Sequence, residues 1–194
     1  MANSANLLEP LQPTLPAAAV NVSKNGVQLE GVGDISIVSL AVPNDRRSEL
    51  RAAIKKAYGI TLPDPGKSVA TPDGMRRCVW TTPEQFLLMF ERKSDFPVNE
   101  VRDEIGETAY LTDQSDAWSI FDLDGANSRA ALERICQLDL ASEMFPPGAA
   151  SRTAMEHIAA IVIRSDDNRF RLMAPSSYCA SFLHAVETSI ANIS

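Results

Sequence analysis

The sequence predicts an α+β fold, an antiparallel sheet with helices built from repeated β-α-β-β units, and three observations carry that expectation. Short runs rich in β-branched and aromatic residues come in adjacent pairs, 76–82 with 84–91 and 154–163 with 170–173. Single segments of helical periodicity separate the pairs, over 50–58, 98–105, 131–136 and 178–190. The strands of each pair are joined by tight turns, which only antiparallel neighbours permit, and strand pairs alternating with helices define the α+β class.

The elements follow in order. Residues 1–19 are poor in charge and rich in Pro, Ala and Asn, suiting an arm laid across a surface, and Asn25-Gly26 between two valine-bearing runs reads as a hairpin turn. Residues 1–26 are therefore taken as an arm and hairpin turn, and 27–194 as a single α+β domain. Ile35, Ile37, Val38, Leu40 and Val42 form a core strand that Pro43 ends. Leu50, Ala53, Ile54, Ala57 and Tyr58 share one helical face, Arg46, Arg47, Arg51, Lys55 and Lys56 cover the other as a solvated or docking face, and Gly59 marks the stop. The Pro- and Gly-rich stretch 63–74 reads as a loop before the strand pair joined at Thr82-Pro83. A helix carrying Val98, Val101 and Ile105 ends at Gly106, and strands are expected at 108–111 and 118–123. After the turn at Asp124-Gly125, Ala131, Leu132, Ile135 and Cys136 give a third helix. A long strand over 154–163 then presents Met155, His157, Ala159 and Ile161 on one face, and it turns at 166–168 into 170–173. Ser176 or Ser177 caps the last helix.

Composition narrows the function classes. The chain has 194 residues, 45% hydrophobic and 22% charged, enough to bury a core without a disulfide or metal staple. Its formal net charge of −7 argues against an extended phosphate-binding face, so no nucleic acid partner is expected. The longest apolar runs, such as Ile158 to Ile163, fall far short of the roughly 20 residues that span a bilayer, so no membrane partner is expected either. The first basic residue is Lys24 and three prolines precede it, so no secretory leader is expected. Cys78, Cys136 and Cys179 each sit in an apolar segment, as buried free thiols of a reducing cytoplasm do.

Constellations that carry chemistry are sparse. Gly31-Val32-Gly33 starts like a dinucleotide fingerprint, but Ser36 takes the third glycine position and a strand follows where a helix is required. His157 and His184 have no ligand-spaced partners and read as half-buried structural residues, so no metal is expected. Asp122 and Asp124 share a strand face and are placed to perturb each other, although Asp124-Gly125 is also a preferred turn pair. Trp80 and Trp118 suit core or interface anchors. No catalytic, cofactor-binding or metal-ligating residue is assigned, and the chain reads as a binding or scaffold subunit.

Family motifs supply the positive reading. Leu111-Thr112-Asp113-Gln114-Ser115-Asp116, followed by a strand, Asp124-Gly125, a helix and Cys136-Gln137-Leu138-Asp139-Leu140, resembles the gamma subunit of heterotetrameric sarcosine oxidase. The same resemblance extends to Val79-Trp80-Thr81 with Pro83-Glu84-Gln85-Phe86-Leu87-Leu88, to Arg152-Thr153, and to Pro175-Ser176-Ser177-Tyr178. It implies a fold similar to the folate-binding domain of aminomethyltransferases. It also implies a cytoplasmic complex with alpha, beta and delta subunits that oxidises sarcosine to glycine with oxygen and tetrahydrofolate, releasing methylenetetrahydrofolate and hydrogen peroxide. FAD, FMN, NAD, zinc and tetrahydrofolate are then expected on the other subunits and none on this chain. The candidate motif or interface residues are Trp80, Asp113, Gln114, Ser115, Trp118, Arg152 and Thr153. The alternative is a stand-alone folate-binding or aminomethyltransferase-like protein.

Overall fold

A computed structural model describes residues 17–43 and 45–193. The chain runs β1 (Asn21–Lys24), β2 (Val27–Val32), β3 (Ile35–Ala41), α1 (Arg47–Tyr58), β4 (Ser68–Ala70), β5 (Arg76–Thr82), β6 (Gln85–Glu91) and α2 (Pro97–Ile105). It continues with β7 (Tyr110–Asp113), β8 (Trp118–Asp124), α3 (Ser128–Glu133), β9 (Ala150–Met155), β10 (Ile158–Asp166), β11 (Arg169–Pro175) and α4 (Cys179–Ala191). Among the described residues all the strand pairings are antiparallel. The strands divide between two sheets, one ordered β1-β2-β8-β11-β10-β9 and the other β4-β5-β6-β3-β7.

Burial on both faces explains why several strands are continuously apolar. On β3, Val38 and Leu40 pack with α1 and α2, while Ile37 turns to the other side. On β6, Phe86, Leu88 and Phe90 face the helices, and Leu87 and Met89 join Ile37. The six-stranded sheet behaves in the same way: Val162, Leu172 and Phe121 pack under α3 and α4, and Ile120, Ile161, Ile163 and Met173 meet the five-stranded sheet. The result is four layers, helices outside and two sheets face to face, with three apolar clusters. Phe121 and Phe182 stack with centroids 6.0 Å apart, fixing α4 over the six-stranded sheet.

Most elements fall where the sequence placed them, and the departures have physical causes. The expected long strand over 154–163 is two strands, because Glu156 and His157 take φ values of 46° and 68° and reverse the chain. Positive φ at both central positions is the mark of the two-residue turn that matches strand twist. His157 is therefore an exposed turn residue, and His184 is exposed on α4, so neither is half-buried. The third helix stops at Glu133, and Cys136 instead bridges to Met155 of β9. The short strand β4 lies within the expected loop, and Gly31 and Val32 belong to β2. Asn25-Gly26 does join two strands, β1 and β2, which add to the six-stranded sheet. The expected arm falls outside the described residues up to position 16.

All three cysteines are buried and free. Burial pushes the Cys78 thiol up to about 12 and raises that of Cys136, which Leu138 and Thr153 oppose by hydrogen bonding. Burial, and then the 2.7 Å hydrogen bond to Glu104, likewise holds the Tyr58 phenol above its ordinary range. Groups with raised values favour folding while protonated. Stability is therefore expected to be full below the unfolded thiol value of about 8.5 and to fall as pH climbs from there towards 12. Urea midpoints at neutral and alkaline pH check this, and a midpoint that rises with alkali contradicts it. Native protein is also expected to leave all three thiols unmodified by an aromatic disulfide reagent until denaturant is added.

Candidate interface motif and a charged cleft between the sheets

The segment 111–118 carries the chain from one sheet to the other, and its polar residues build the crossing. The Asp113 carboxylate accepts from the Ser115 backbone N–H at 2.9 Å and from the Ser115 hydroxyl at 2.6 Å. The Ser115 hydroxyl oxygen in turn accepts from the Ile37 N–H at 3.0 Å, and the Gln114 N–H donates to the Ile37 carbonyl at 2.8 Å. This chelate ends β7 and pins a one-turn 3-10 helix, Ser115–Ala117, against β3. Asp116 pairs with Arg92 at 3.1 Å, and its carbonyl accepts from the Ser176 hydroxyl at 2.8 Å. Asp113, Gln114 and Ser115 are thus brought together, and each is occupied in holding backbone.

The other candidates lie apart from that crossing. Trp118 opens β8 and is half-buried between the sheets, with the Arg152 guanidinium of the edge strand β9 5.8 Å from its ring centroid. Such stacking orients the exposed cation. Trp80 lies on β5 on the helix-facing side, opposite Phe86 in register. The indole N–H groups of Trp80 and Trp118 are buried without a hydrogen-bond partner among the described residues. Thr153, beside Arg152, touches the Cys136 side of the sheet.

A second group of charged residues surrounds Asp122, and its arginines escaped the sequence reading. At one end of the space between the sheets, a cleft of about 290 Å³ is lined by Arg77 of β5, Asp122 of β8, and Arg169 and Arg171 of β11, with Ile35, Met75 and Met89 at its apolar side. Asp122 and Asp124 do share a strand face, but each meets an arginine in register on β11, so they are cross-strand ion-pair partners more than an acid pair. Arg171 grips Asp122 through two bonds of 2.7 and 2.8 Å, whereas Arg169 stands 3.7 Å from Asp124. The signal was present: Arg171 interrupts an apolar strand at a position facing inward. Among the described residues no three His, Cys, Asp or Glu side chains gather as a metal site. No helix of the described residues is long and apolar enough to cross a membrane.

The model of the sarcosine oxidase, gamma subunit family matches residues 44–191. The chain belongs to the sarcosine oxidase, gamma subunit family. It is 25% identical over 134 residues to the sarcosine oxidase subunit gamma of Corynebacterium sp. strain U-96, spanning 69% of this chain and 65% of that protein. The solved heterotetrameric sarcosine oxidase from Corynebacterium sp. U-96, in complex with pyrrole 2-carboxylate, contains a chain of the same fold. That likeness has a TM-score of 0.74 at 23% identity and covers 91% of this chain and 89% of that one. Aminomethyltransferase T of the glycine cleavage system from Bartonella henselae shares the fold at a TM-score of 0.60 and 13% identity, covering 84% of this chain and 46% of that one. The fold expected from the motifs is therefore the observed one, and every candidate motif residue lies inside the stretch that defines the gamma subunit family.

Proposed function

We propose that this chain is the gamma subunit of a heterotetrameric sarcosine oxidase and serves in its assembly and stabilisation. The observation that carries this reading is the family match over 44–191, joined to a motif whose Asp113 and Ser115 side chains are spent on pinning the connection between the sheets to β3. On this reading the complex converts sarcosine, oxygen and tetrahydrofolate into glycine, methylenetetrahydrofolate and hydrogen peroxide in the cytoplasm. FAD, FMN, NAD, zinc and tetrahydrofolate then sit on the alpha, beta and delta subunits. Trp80, Trp118, Arg152 and Thr153 are the residues proposed to meet those partners, since half-buried indoles and an exposed cation stacked on one of them suit an interface.

The test is co-expression of the alpha, beta and delta subunits with and without this chain. A yellow complex with sarcosine-dependent peroxide production is expected to co-purify with it and to lose subunits or flavin when it is omitted. A colourless chain that elutes alone beside an intact, active remainder overturns the proposal.

A further inference from the structure

We propose that the cleft between the two sheets is a binding site for a small organic carboxylate, with the Arg77 guanidinium as its receptor and Arg169 at its rim. Much of the facing surface of the two sheets is apolar, with Ile37, Val79, Leu87, Ile120, Ile161 and Met173 meeting one another. At this end charged side chains enter from both sheets, Arg77 from β5 and Asp122, Arg169 and Arg171 from β8 and β11. Charge at inward strand positions is expensive unless it is matched.

The matching is incomplete at one residue. Arg171 and Asp122 neutralise each other through a two-pronged contact. Arg77 is half-buried, donates one bond of 2.9 Å to the Ser68 hydroxyl, and makes no ion pair among the described residues. Burial first, and Arg171 second, push its guanidinium below the ordinary value, while Asp122 acts in the opposite direction. A guanidinium has five donors in a planar fork, so most of its hydrogen-bonding capacity remains to be used. The geometry that satisfies such a fork is a carboxylate or a phosphate.

The lining decides between the two. Asp122 neutralises Arg171 and Asp124 stands 3.7 Å from Arg169, so Arg77 is the cleft guanidinium without an ion pair among the described residues, in a chain whose net charge is −7. One carboxylate matches that single fork, whereas a phosphate dianion would bring a second negative charge beside Glu91, Asp122 and the neighbouring Asp124. The apolar side formed by Ile35, Met75 and Met89 suits the carbon skeleton of an organic acid and gives inorganic phosphate nothing to bury. A cleft of about 290 Å³ accommodates a ligand of a few carbon atoms beside its carboxylate.

The experiment follows the arginine Nε–H signals of the full chain in ¹⁵N-edited NMR during titration with butyrate at constant ionic strength, with inorganic phosphate and chloride as comparison anions. A saturable shift of the Arg77 signal is expected with butyrate and a weaker one with phosphate. Binding, followed on the Arg169 and Arg171 signals, is expected to fall at least about tenfold in Arg77→Met, the loss of a charged hydrogen-bond pair, with part retained in Arg77→Lys. Arg169→Met, at a side chain half exposed to solvent, leaves the fold intact and is expected to weaken binding less. The proposal is overturned if no signal saturates, if chloride gives the same response as butyrate, or if folded Arg77→Met or Arg77→Lys binds as the parent does. It stands apart from the subunit reading, because the titration needs no partner chain.

Discussion

Replacing Arg164 with methionine is expected to destabilise the protein by about 3–5 kcal/mol, the range for leaving several buried polar groups without partners. Arg164 is only 4% exposed and yet faces no carboxylate among the described residues. Its guanidinium donates to the carbonyls of Phe145 at 2.8 Å, Leu140 at 3.3 Å and Asp166 at 3.3 Å, and also to that of Asp167, and it lies 5.3 Å from the Phe170 ring centroid. One planar group thus ties the end of β10 to the long connection between α3 and β9. Methionine fills much of the volume but donates nothing, so four carbonyls lose a partner in a site that water reaches poorly. For a chain of this length each kcal/mol shifts the melting temperature by about 2–4 °C, so a loss of about 6–20 °C is expected by calorimetry. Arg164→Lys is expected to fall between, since an ammonium cannot reach four acceptors arranged around a plane. A methionine variant melting within about 2 °C of the parent rules this account out.

Arg164 also shows why part of the fold was legible and part was not. Helices α1 and α2 were readable because apolar spacing and a closing glycine agree in one short window. The β5–β6 and β10–β11 pairs were readable from paired apolar runs flanking turn residues. Division into two sheets is a different kind of fact. Strands such as β3 and β10 are apolar on both faces, and an apolar run does not say which neighbour covers each face. The Glu156-His157 turn carries neither glycine nor asparagine, so nothing local announced it. Asp113 and Ser115 were legible as a motif, but what they anchor was not, because the Ser115 hydroxyl accepts from the backbone of Ile37, 78 residues earlier. The arginine cleft escaped for the same reason: Arg77 and Arg171 are far apart in sequence and meet only when the sheets stack. What such residues did offer was a charge at an inward strand position, which is a signal of a satisfied network or of a site.

Gly125→Ala is expected to cost about 3 kcal/mol or more, because it combines backbone strain with a clash against main chain. Gly125 adopts φ 129°, which an L side chain rarely tolerates, and a Cβ there would stand 2.1 Å from the Gly26 carbonyl oxygen. Three turns converge on this residue. Its N–H donates to the Asn168 carbonyl at 3.2 Å, its carbonyl accepts from the Ser128 N–H at 3.0 Å, and Asn127 reaches the Asn25 carbonyl at 2.9 Å. Asn25 in turn donates to the Ile190 carbonyl at 2.9 Å near the end of α4. Relief of the clash therefore requires the β1–β2 turn to move away from β8, and that movement pulls on α3 and α4 together. Gly59→Ala supplies the comparison: Gly59 also has positive φ, at 70°, but a Cβ there meets nothing within 4 Å, so only the conformational cost of about 1 kcal/mol applies. Urea unfolding of the two variants separates the terms. If they lose equal stability, close approach contributes nothing at Gly125 and the convergence of the turns is not what requires glycine there.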